Sequence, residues 1–244
     1  MIMKTINLLY AACLISVMIS GCKKDNYKPP QSVLTGKVTY QGTATELRAN
    51  GVQLELWQYG HQLFTKIPVY IAQDGSFSAT LFDGDYKLVR LRGNGPWVDN
   101  TDSISISVRG NTTVDVPVMP YYTLNAPAVT FNKSDTSVSS TFTVTQVVSG
   151  RSIETVSVNV GATTLTDVIN KVIMTEAAAT PGVSATVKVY LNPNRYPADN
   201  QVNLRKQLSA LFTKQYGFVR VGVKTSGVDE RLYAPVQKID LKLP

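Results

Sequence analysis

The folded part of this sequence has almost none of the side chains that carry metal-dependent or thiol chemistry. Its two cysteines, Cys13 and Cys22, lie near the start of the 244-residue chain, and His61 is the single histidine. The rest of the chain therefore excludes a disulfide, a thiolate zinc site and a cysteine nucleophile. One histidine cannot form a cluster of imidazole ligands, and we predict neither a metal nor a cofactor.

Catalytic patterns are also scarce. His61 lies in a polar segment, and no Gly-x-Ser-x-Gly motif accompanies it. Folding could bring two carboxylates together as a glycosidase requires, but the acidic pairs fall in turns or polar loops, which favours a structural or solvated role. These pairs are Asp83/Asp85, Asp99/Asp102 and Asp229/Glu230. We predict that the protein is not an enzyme.

Charge is modest and scattered. Charged residues make up 17% of the chain, and the formal net charge is +7. Apart from Lys23, Lys24 and Lys28, the basic residues form no cluster, and no basic stripe alternates with aromatic residues. We therefore expect no nucleic-acid partner.

The N-terminus has the order of features of an export signal. A positive start through Lys4 precedes an apolar stretch over 6–19, too short to span a bilayer comfortably. The stretch ends in Ile19-Ser20-Gly21-Cys22, which resembles a bacterial lipobox. We predict a signal peptide over 1–21 and a membrane anchor through lipid on Cys22. The alternative is a buried apolar element that happens to end in Gly-Cys.

Residues 22–32 are predicted to form a lipidated tether. Pro29-Pro30 favours an extended backbone that stands away from the membrane. Lys23-Lys24-Asp25 resembles, in part, the surface-export signal of Bacteroidetes lipoproteins. That resemblance implies an outer-membrane location facing the cell exterior.

Thr, Val, Ser and Tyr are abundant, and short alternating apolar runs between turn residues predict an all-β chain of two domains. Over 33–119, strands alternate from Leu34 to Tyr40 onward, and the last strand is predicted from Thr113 to Val118. Gly36-Lys37-Val38, Asp74-Gly75-Ser76-Phe77 and Gly84-Asp85-Tyr86-Lys87-Leu88 resemble the carboxypeptidase-regulatory, transthyretin-like β-sandwich. The resemblance implies that Tyr86 packs inside.

Residues 120–244 are predicted to form an immunoglobulin- or fibronectin-like β-sandwich. Pro120 interrupts the preceding strand, and about seven strands follow. One short helix is predicted over 200–212, because Leu204, Leu208, Leu211 and Phe212 lie on one face. The segment 171–179 fits a strand or a helix.

Nearly the whole mature chain resembles a Bacteroidetes family of domain-of-unknown-function lipoproteins encoded beside SusC/SusD-type glycan uptake systems. The matching segments are Gly51-Val52-Gln53-Leu54, Ile67-Pro68-Val69-Tyr70, Asp74-Gly75-Ser76-Phe77, Gly93-Asn94-Gly95-Pro96-Trp97 and Phe218-Val219-Arg220-Val221-Gly222-Val223. The resemblance implies two β-sandwiches at the cell surface. We expect a non-catalytic glycan-binding or accessory protein with polysaccharide and SusC/SusD-type partners; the alternative is a structural adhesin or spacer.

Two groups of aromatic residues are candidates for recognition. Trp97 lies in a turn-rich loop with Asn94, Asp99 and Asn100, where a ring could stack on a sugar while the polar groups bind hydroxyls. The alternative is that Trp97 closes the end of the sandwich or fills the seam between the domains. The second group is predicted to pack in the core and at sheet edges, and it comprises Trp57, Tyr59, Phe64 and Tyr70.

Overall fold

The computed structural model describes residues 28–58, 65–192, 195 and 201–242. Residues Gln31–Pro244 form one compact unit. Within it, the described residues build two β-sandwich domains and one short helix, which confirms the predicted fold class. No helix among them is long and apolar enough to cross a membrane.

The N-terminal domain packs a five-stranded sheet against a four-stranded sheet. Its strands are β1 (Ser32–Tyr40), β2 (Thr43–Ala44), β3 (Gln53–Gln58), β4 (Lys66–Tyr70), β5 (Ser76–Leu81), β6 (Gly84–Arg90), β7 (Ile104–Val108), β8 (Thr112–Thr113) and β9 (Val116–Pro117). One sheet has the order β2-β1-β5, with β8 and β9 parallel to β1. The other has the order β4-β3-β6-β7, so β4, which contains Pro68, is an edge strand.

Alternation along these strands places one face in the core. Leu34 and Val38 point inward from β1, and Phe77 and Tyr86 are buried on β5 and β6. The Tyr86 hydroxyl donates to the Phe82 carbonyl at 2.9 Å, so its polar atom is satisfied. The inward position implied for Tyr86 by the transthyretin-like resemblance is therefore correct.

The predicted strand from Thr113 to Val118 is instead two short strands, β8 and β9. Val114 and Val118 both donate to carbonyls of β1, but the Lys37 amide between them donates to the Asp115 carboxylate at 3.0 Å. A side chain thus replaces one rung of the backbone ladder. This bond to a side chain interrupts the backbone pairing with β1, and the alternation of apolar and polar residues in the sequence does not predict the interruption.

The C-terminal domain is a second sandwich. Its elements are β10 (Tyr122–Leu124), β11 (Ala128–Asn132), β12 (Ser137–Gln146), β13 (Ile153–Gly161), β14 (Ile173–Ala177), β15 (Ser184–Tyr190), α1 (Gln201–Lys214), β16 (Tyr216–Thr225), β17 (Leu232–Tyr233) and β18 (Gln237–Asp240). In one sheet β12 pairs with β10, β11 and β15. The other has the order β14-β13-β16-β17, with β18 also paired to β16.

The structure contains the predicted helix and decides between a strand and a helix for the segment 171–179. The helix α1 buries Leu208 and Leu211 in the domain core, with Leu204 and Phe212 packed partly against it, as the spacing predicts. The segment 171–179 contains strand β14.

The two domains meet along a seam formed by β16, β17 and the segment after β2. Arg220 of β16 is fully buried there. Its Nη2 donates to Glu46 Oε2 at 2.8 Å, and its Nη1 donates to the Leu47 carbonyl at 2.8 Å. Its Nε donates to Ala234 of its own domain at 3.0 Å. A second ion pair crosses the seam in the opposite sense, with Arg48 on the N-terminal domain and Glu230 on the C-terminal domain.

Candidate functional site

A groove of about 610 Å³ lies on the outer face of the N-terminal domain, and we call it the Tyr70 groove. It is lined by Thr35, Gly36, Lys37, Asn50, Tyr70, Ala72, Ser76, Phe77, Ser78, Thr113 and Asp115. Tyr70 is 53% exposed, although aromatic rings normally pack away from water. The size is within the range of small-ligand sites.

Strand pairing builds the floor of the groove as a cross-strand row. Thr35 on β1 pairs with Ser78 on β5 and with Thr113 on β8. Ile71 bridges Phe77, so the antiparallel register places Tyr70 beside Ser78. Because alternate residues share a face, the ring and three hydroxyl-bearing side chains form one continuous row.

A second row lies one step along the same strands. Lys37 pairs with Ser76, and Asp115 lies on the other side of Lys37. Asp74, in the adjoining turn, accepts from the Ser76 hydroxyl at 2.6 Å and from its amide at 3.1 Å. The hydroxyl bond is the main reason that the pKa of Asp74 lies below its ordinary value.

The groove combines an exposed ring with hydroxyl, ammonium and carboxylate groups. A sugar presents an apolar face to an aromatic ring and hydroxyls to polar side chains. Thr35 Oγ1 and Thr113 Oγ1 lie 3.1 Å apart, so the row is held in place before any ligand arrives. This arrangement can bind a polar ligand of ring-like shape.

The sequence predicts that Tyr70 packs in the core or at a sheet edge together with Trp57, Tyr59 and Phe64, and this prediction misses its exposed ring. Trp57 is half-buried, and Tyr59 and Phe64 lie outside the described residues. Tyr70 does end the edge strand β4, but its side chain is exposed. Val69 is buried, and alternation along β4 therefore points Tyr70 outward.

Trp97 is buried, and this corrects the prediction that its ring forms a stacking platform. Only 3% of the residue is exposed, and it belongs to the core of the N-terminal domain. A Cβ on Gly95 would lie 2.2 Å from two ring atoms, so the ring lies directly against that glycine. Trp97 also bridges Pro120 where the first domain ends. A buried ring offers no face to a sugar, so its role is packing.

The polar residues of the same loop hold its backbone. Asn94 accepts from the Gln53 amide, and Asp99 accepts from the Gly93 amide, each at 2.7 Å. Asn100 accepts from the Asp102 amide, also at 2.7 Å. Asp99 and Asn100 are exposed beside a smaller groove of about 280 Å³. Ligand binding by Asn94, Asp99 and Asn100 stays a prediction.

The acidic pairs are engaged in separate local contacts. Asp83 accepts from Gly110 and Ser32, and Asp85 pairs with Arg109 at 3.4 Å. Glu230 belongs to the seam. The carboxylate that lines the Tyr70 groove is Asp115, which the sequence did not indicate.

Cys22, the predicted lipidation site, and His61 lie outside the described residues. In the described part of the chain, no three His, Cys, Asp or Glu side chains group as metal ligands.

Comparisons with known proteins cover both domains. The family model described as "Protein of unknown function (DUF3823) N-terminal domain" matches residues 32–119. The model described as "Domain of unknown function (DUF3823_C)" matches residues 122–238. No curated protein matches the chain.

Solved structures give the same result. A DUF3823 family protein from Parabacteroides merdae is 30% identical, with a TM-score of 0.75, and covers 87% of this chain and 100% of its own. One from Bacteroides ovatus is 35% identical, with a TM-score of 0.72, and covers 86% of this chain and 100% of its own.

A third structure, from Bacteroides uniformis, is described as a "putative carbohydrate binding protein". It is 17% identical to this chain, with a TM-score of 0.67, and covers 87% of this chain and 100% of its own. At that identity the similarity shows the shared fold. Since both domain models and two relatives at 30% identity or more match, the chain belongs to the DUF3823 family.

Proposed function

We propose that this protein is a non-catalytic glycan-binding lipoprotein of the bacterial cell surface, and that it binds sugar in the Tyr70 groove. The observation that carries the proposal is the exposed Tyr70 ring at the end of the hydroxyl row of Ser78, Thr35 and Thr113. The description of the Bacteroides uniformis relative as a "putative carbohydrate binding protein" supports the same class of ligand.

A glycan array probed with the soluble unit from residue 31 tests this function. Tyr70→Ala should weaken binding to the best glycan by about 1–3 kcal/mol, roughly ten- to a hundredfold, because one stacking contact is lost. Phe82→Ala is the matched control, since Phe82 is an exposed aromatic residue of the same domain at 46% and does not line the groove. Equal losses in both variants, or none in Tyr70→Ala, contradict the proposal.

Surface display is the second part of the proposal. A lipid on Cys22 and the tether over 22–32 would hold the domains outside the outer membrane. Cys22→Ala should abolish metabolic palmitate labelling and leave an unprocessed or soluble precursor. Protease treatment of intact cells should remove the wild-type protein. Persistent labelling contradicts the anchor, and full protection from protease contradicts the outward orientation.

The accessory role beside a SusC/SusD-type transporter rests on the sequence resemblance. Pull-down from the native membrane should recover transporter components if the role is correct. The alternative, a structural spacer or adhesin, is favoured by the seam, because the Arg220–Glu46 and Arg48–Glu230 pairs hold the two sandwiches together. Neighbouring genes discriminate: glycoside hydrolases favour glycan uptake, and pilus or surface-assembly genes favour the spacer.

A further inference from the structure

A second cavity of about 590 Å³ opens between the two domains, and we call it the seam cleft. The N-terminal domain contributes Tyr40, Thr45 and Glu46, and the C-terminal domain contributes Leu124, Tyr233 and Pro235. None of the described residues lines both the cleft and the Tyr70 groove. The two sites therefore require separate arguments and separate tests.

The wall formed by Glu46 is fixed by the seam. One Glu46 oxygen accepts from Arg220 at 2.8 Å, and the Tyr233 amide donates to the Glu46 carbonyl at 3.0 Å. The guanidinium of Arg220 also lies 4.4 Å from the centre of the Tyr233 ring. Burial raises the pKa of Glu46, although Arg220 opposes the shift. This carboxylate is therefore oriented and partly shielded from water, with its second oxygen not committed to Arg220.

Thr45 supplies an independent indication of a ligand. The residue is 5% exposed, and its Oγ1 has no hydrogen-bond partner among the described residues. Buried hydroxyls in native proteins are nearly always satisfied by protein, water or ligand. Thr45 lines the cleft, but its Oγ1 itself has almost no accessible surface, so a rotation of the Thr45 side chain must bring the hydroxyl to the ligand that supplies the missing partner.

The lining also defines the kind of ligand. Tyr40, Leu124 and Pro235 give apolar surface, while Thr45 and Glu46 give hydroxyl and carboxylate groups. A pyranose ring matches this combination, since its carbon face is apolar and its hydroxyls donate to carboxylates. Among the described residues that line the cleft, Glu46 is the one with a charged side chain, and its negative charge disfavours an acidic sugar.

We propose that the seam cleft is a second binding site, which takes one or two pyranose rings of a neutral sugar. The ligand contacts both domains at once, and it satisfies the Thr45 hydroxyl. The site does not depend on sugar binding at the Tyr70 groove.

Thr45→Val tests the site, because it removes the hydroxyl and keeps the branched shape. Ser140→Ala is the matched control: Ser140 is also buried with an unpartnered hydroxyl, but it does not line the cleft. Neither variant should lower the melting temperature, since neither loses a hydrogen bond within the described protein. Thr45→Val should weaken sugar binding roughly two- to tenfold, and Ser140→Ala should leave it unchanged.

The measurement is calorimetric titration of the full chain in a detergent without a sugar headgroup. The probes are glucose, galactose and mannose, their β-1,4-linked disaccharides, and glucuronic acid. We expect millimolar or tighter binding of a neutral probe at two sites: Tyr70→Ala should remove the groove's share of the binding, the binding that remains should be weakened by Thr45→Val, and glucuronic acid should bind that remaining site more weakly. No binding at millimolar concentrations, or binding unaffected by Thr45→Val, overturns the proposal.

The Tyr70→Ala variant separates this proposal from the function proposed above. Loss of all sugar binding in Tyr70→Ala would leave the Tyr70 groove as the site and refute the seam cleft. Sugar binding that remains in Tyr70→Ala and is weakened by Thr45→Val supports the cleft. The groove is refuted only if Tyr70→Ala binds sugar as strongly as the wild type does. Binding of a proline-rich peptide in place of every sugar would also overturn the proposal.

Discussion

Arg220 of the C-terminal domain donates to Glu46 of the N-terminal domain at 2.8 Å, with the guanidinium fully buried and the carboxylate side chain 20% exposed. The same guanidinium donates to Leu47 and Gln73 carbonyls of the N-terminal domain. Burial lowers the pKa of Arg220 and raises that of Glu46, so desolvation dominates both partners. The ion pair therefore contributes to folding stability mainly because removing one partner would leave the other unpaired in the buried seam, which is unfavourable.

Replacement of Arg220 should be strongly destabilising. Arg220→Met leaves Glu46 and the backbone carbonyls without their donor, and we expect a loss of about 3–5 kcal/mol in the free energy of unfolding. Lys224→Met on the same strand is the control, because Lys224 pairs with Glu154 at 3.0 Å near the surface. That variant should lose about 0–1 kcal/mol in urea denaturation. Equal losses would show that Arg220 has no special role.

Tyr233 should make the seam sensitive to alkali. Burial is the main cause that raises its pKa from 10.0 to about 12. Between pH 10 and about 12, the folded state keeps the Tyr233 phenol proton and the unfolded chain loses it. The contribution of the buried, neutral phenol to stability is therefore complete below pH 10 and is lost as the pH rises to about 12. The difference is roughly 2–3 kcal/mol.

Tyr233→Phe provides the control for that pH dependence. Without the phenol, the fall in melting temperature between pH 10 and 12 should be shallower than in the wild type. Some slope should persist, since burial also raises the pKa values of Tyr86 and Tyr122. Identical slopes in the two proteins would show that Tyr233 does not titrate in this window.

Trp97 and Gly95 should behave as one packing unit. Trp97→Ala empties a buried aromatic site and should cost about 3–5 kcal/mol. Gly95→Ala places a methyl group against the ring, at 2.2 Å from its atoms, and should cost about 1–3 kcal/mol. In the Trp97→Ala background, Gly95→Ala should cost almost nothing, because the clash is gone. Additive costs in a double-mutant cycle would refute the contact.

The two domains should each fold when separated. In the part of the chain that the structure describes, the two cores have no residue in common: one is drawn from 34–118 and the other from 122–241. Fragments 31–119 and 120–244 should each unfold in a cooperative transition. Arg220→Met should cost little in fragment 120–244, because water replaces the seam there. A molten fragment, or a full Arg220→Met penalty in isolation, would indicate interlocked domains.

Sequence alternation predicts most of the fold because one face of most strands is buried. It does not predict the seam. Val219, Val221 and Val223 of β16 face their own core, and the opposite face carries Arg220, which reads as a solvated charge in the sequence. The other domain covers that face, and only the tertiary structure reveals it.

The candidate site, like the fold, is only partly predictable from local sequence patterns. Tyr70 follows from local alternation, but its hydroxyl row joins residues from positions 35, 78 and 113, and no local pattern reports that pairing. The predicted stacking role of Trp97 is wrong because the local sequence around it is misleading. Its neighbouring glycines suggested an open loop, whereas Gly95 makes room for the ring against the core.

The edge strand β4 affects how neighbouring copies of the protein can associate when they are packed closely together. Pro68 has no amide hydrogen, and prolines are tolerated in sheets where that position faces away from the ladder. Among the described strands, β4 forms a ladder with β3 alone, and its approach to β5 begins at the Ile71–Phe77 bridge beyond its last residue, so the other side of β4 around Pro68 has no paired strand. A strand from an adjacent copy would find a missing donor there and the charge of Lys66 beside it. Many copies packed side by side would therefore resist lateral growth into a continuous aggregate along this edge.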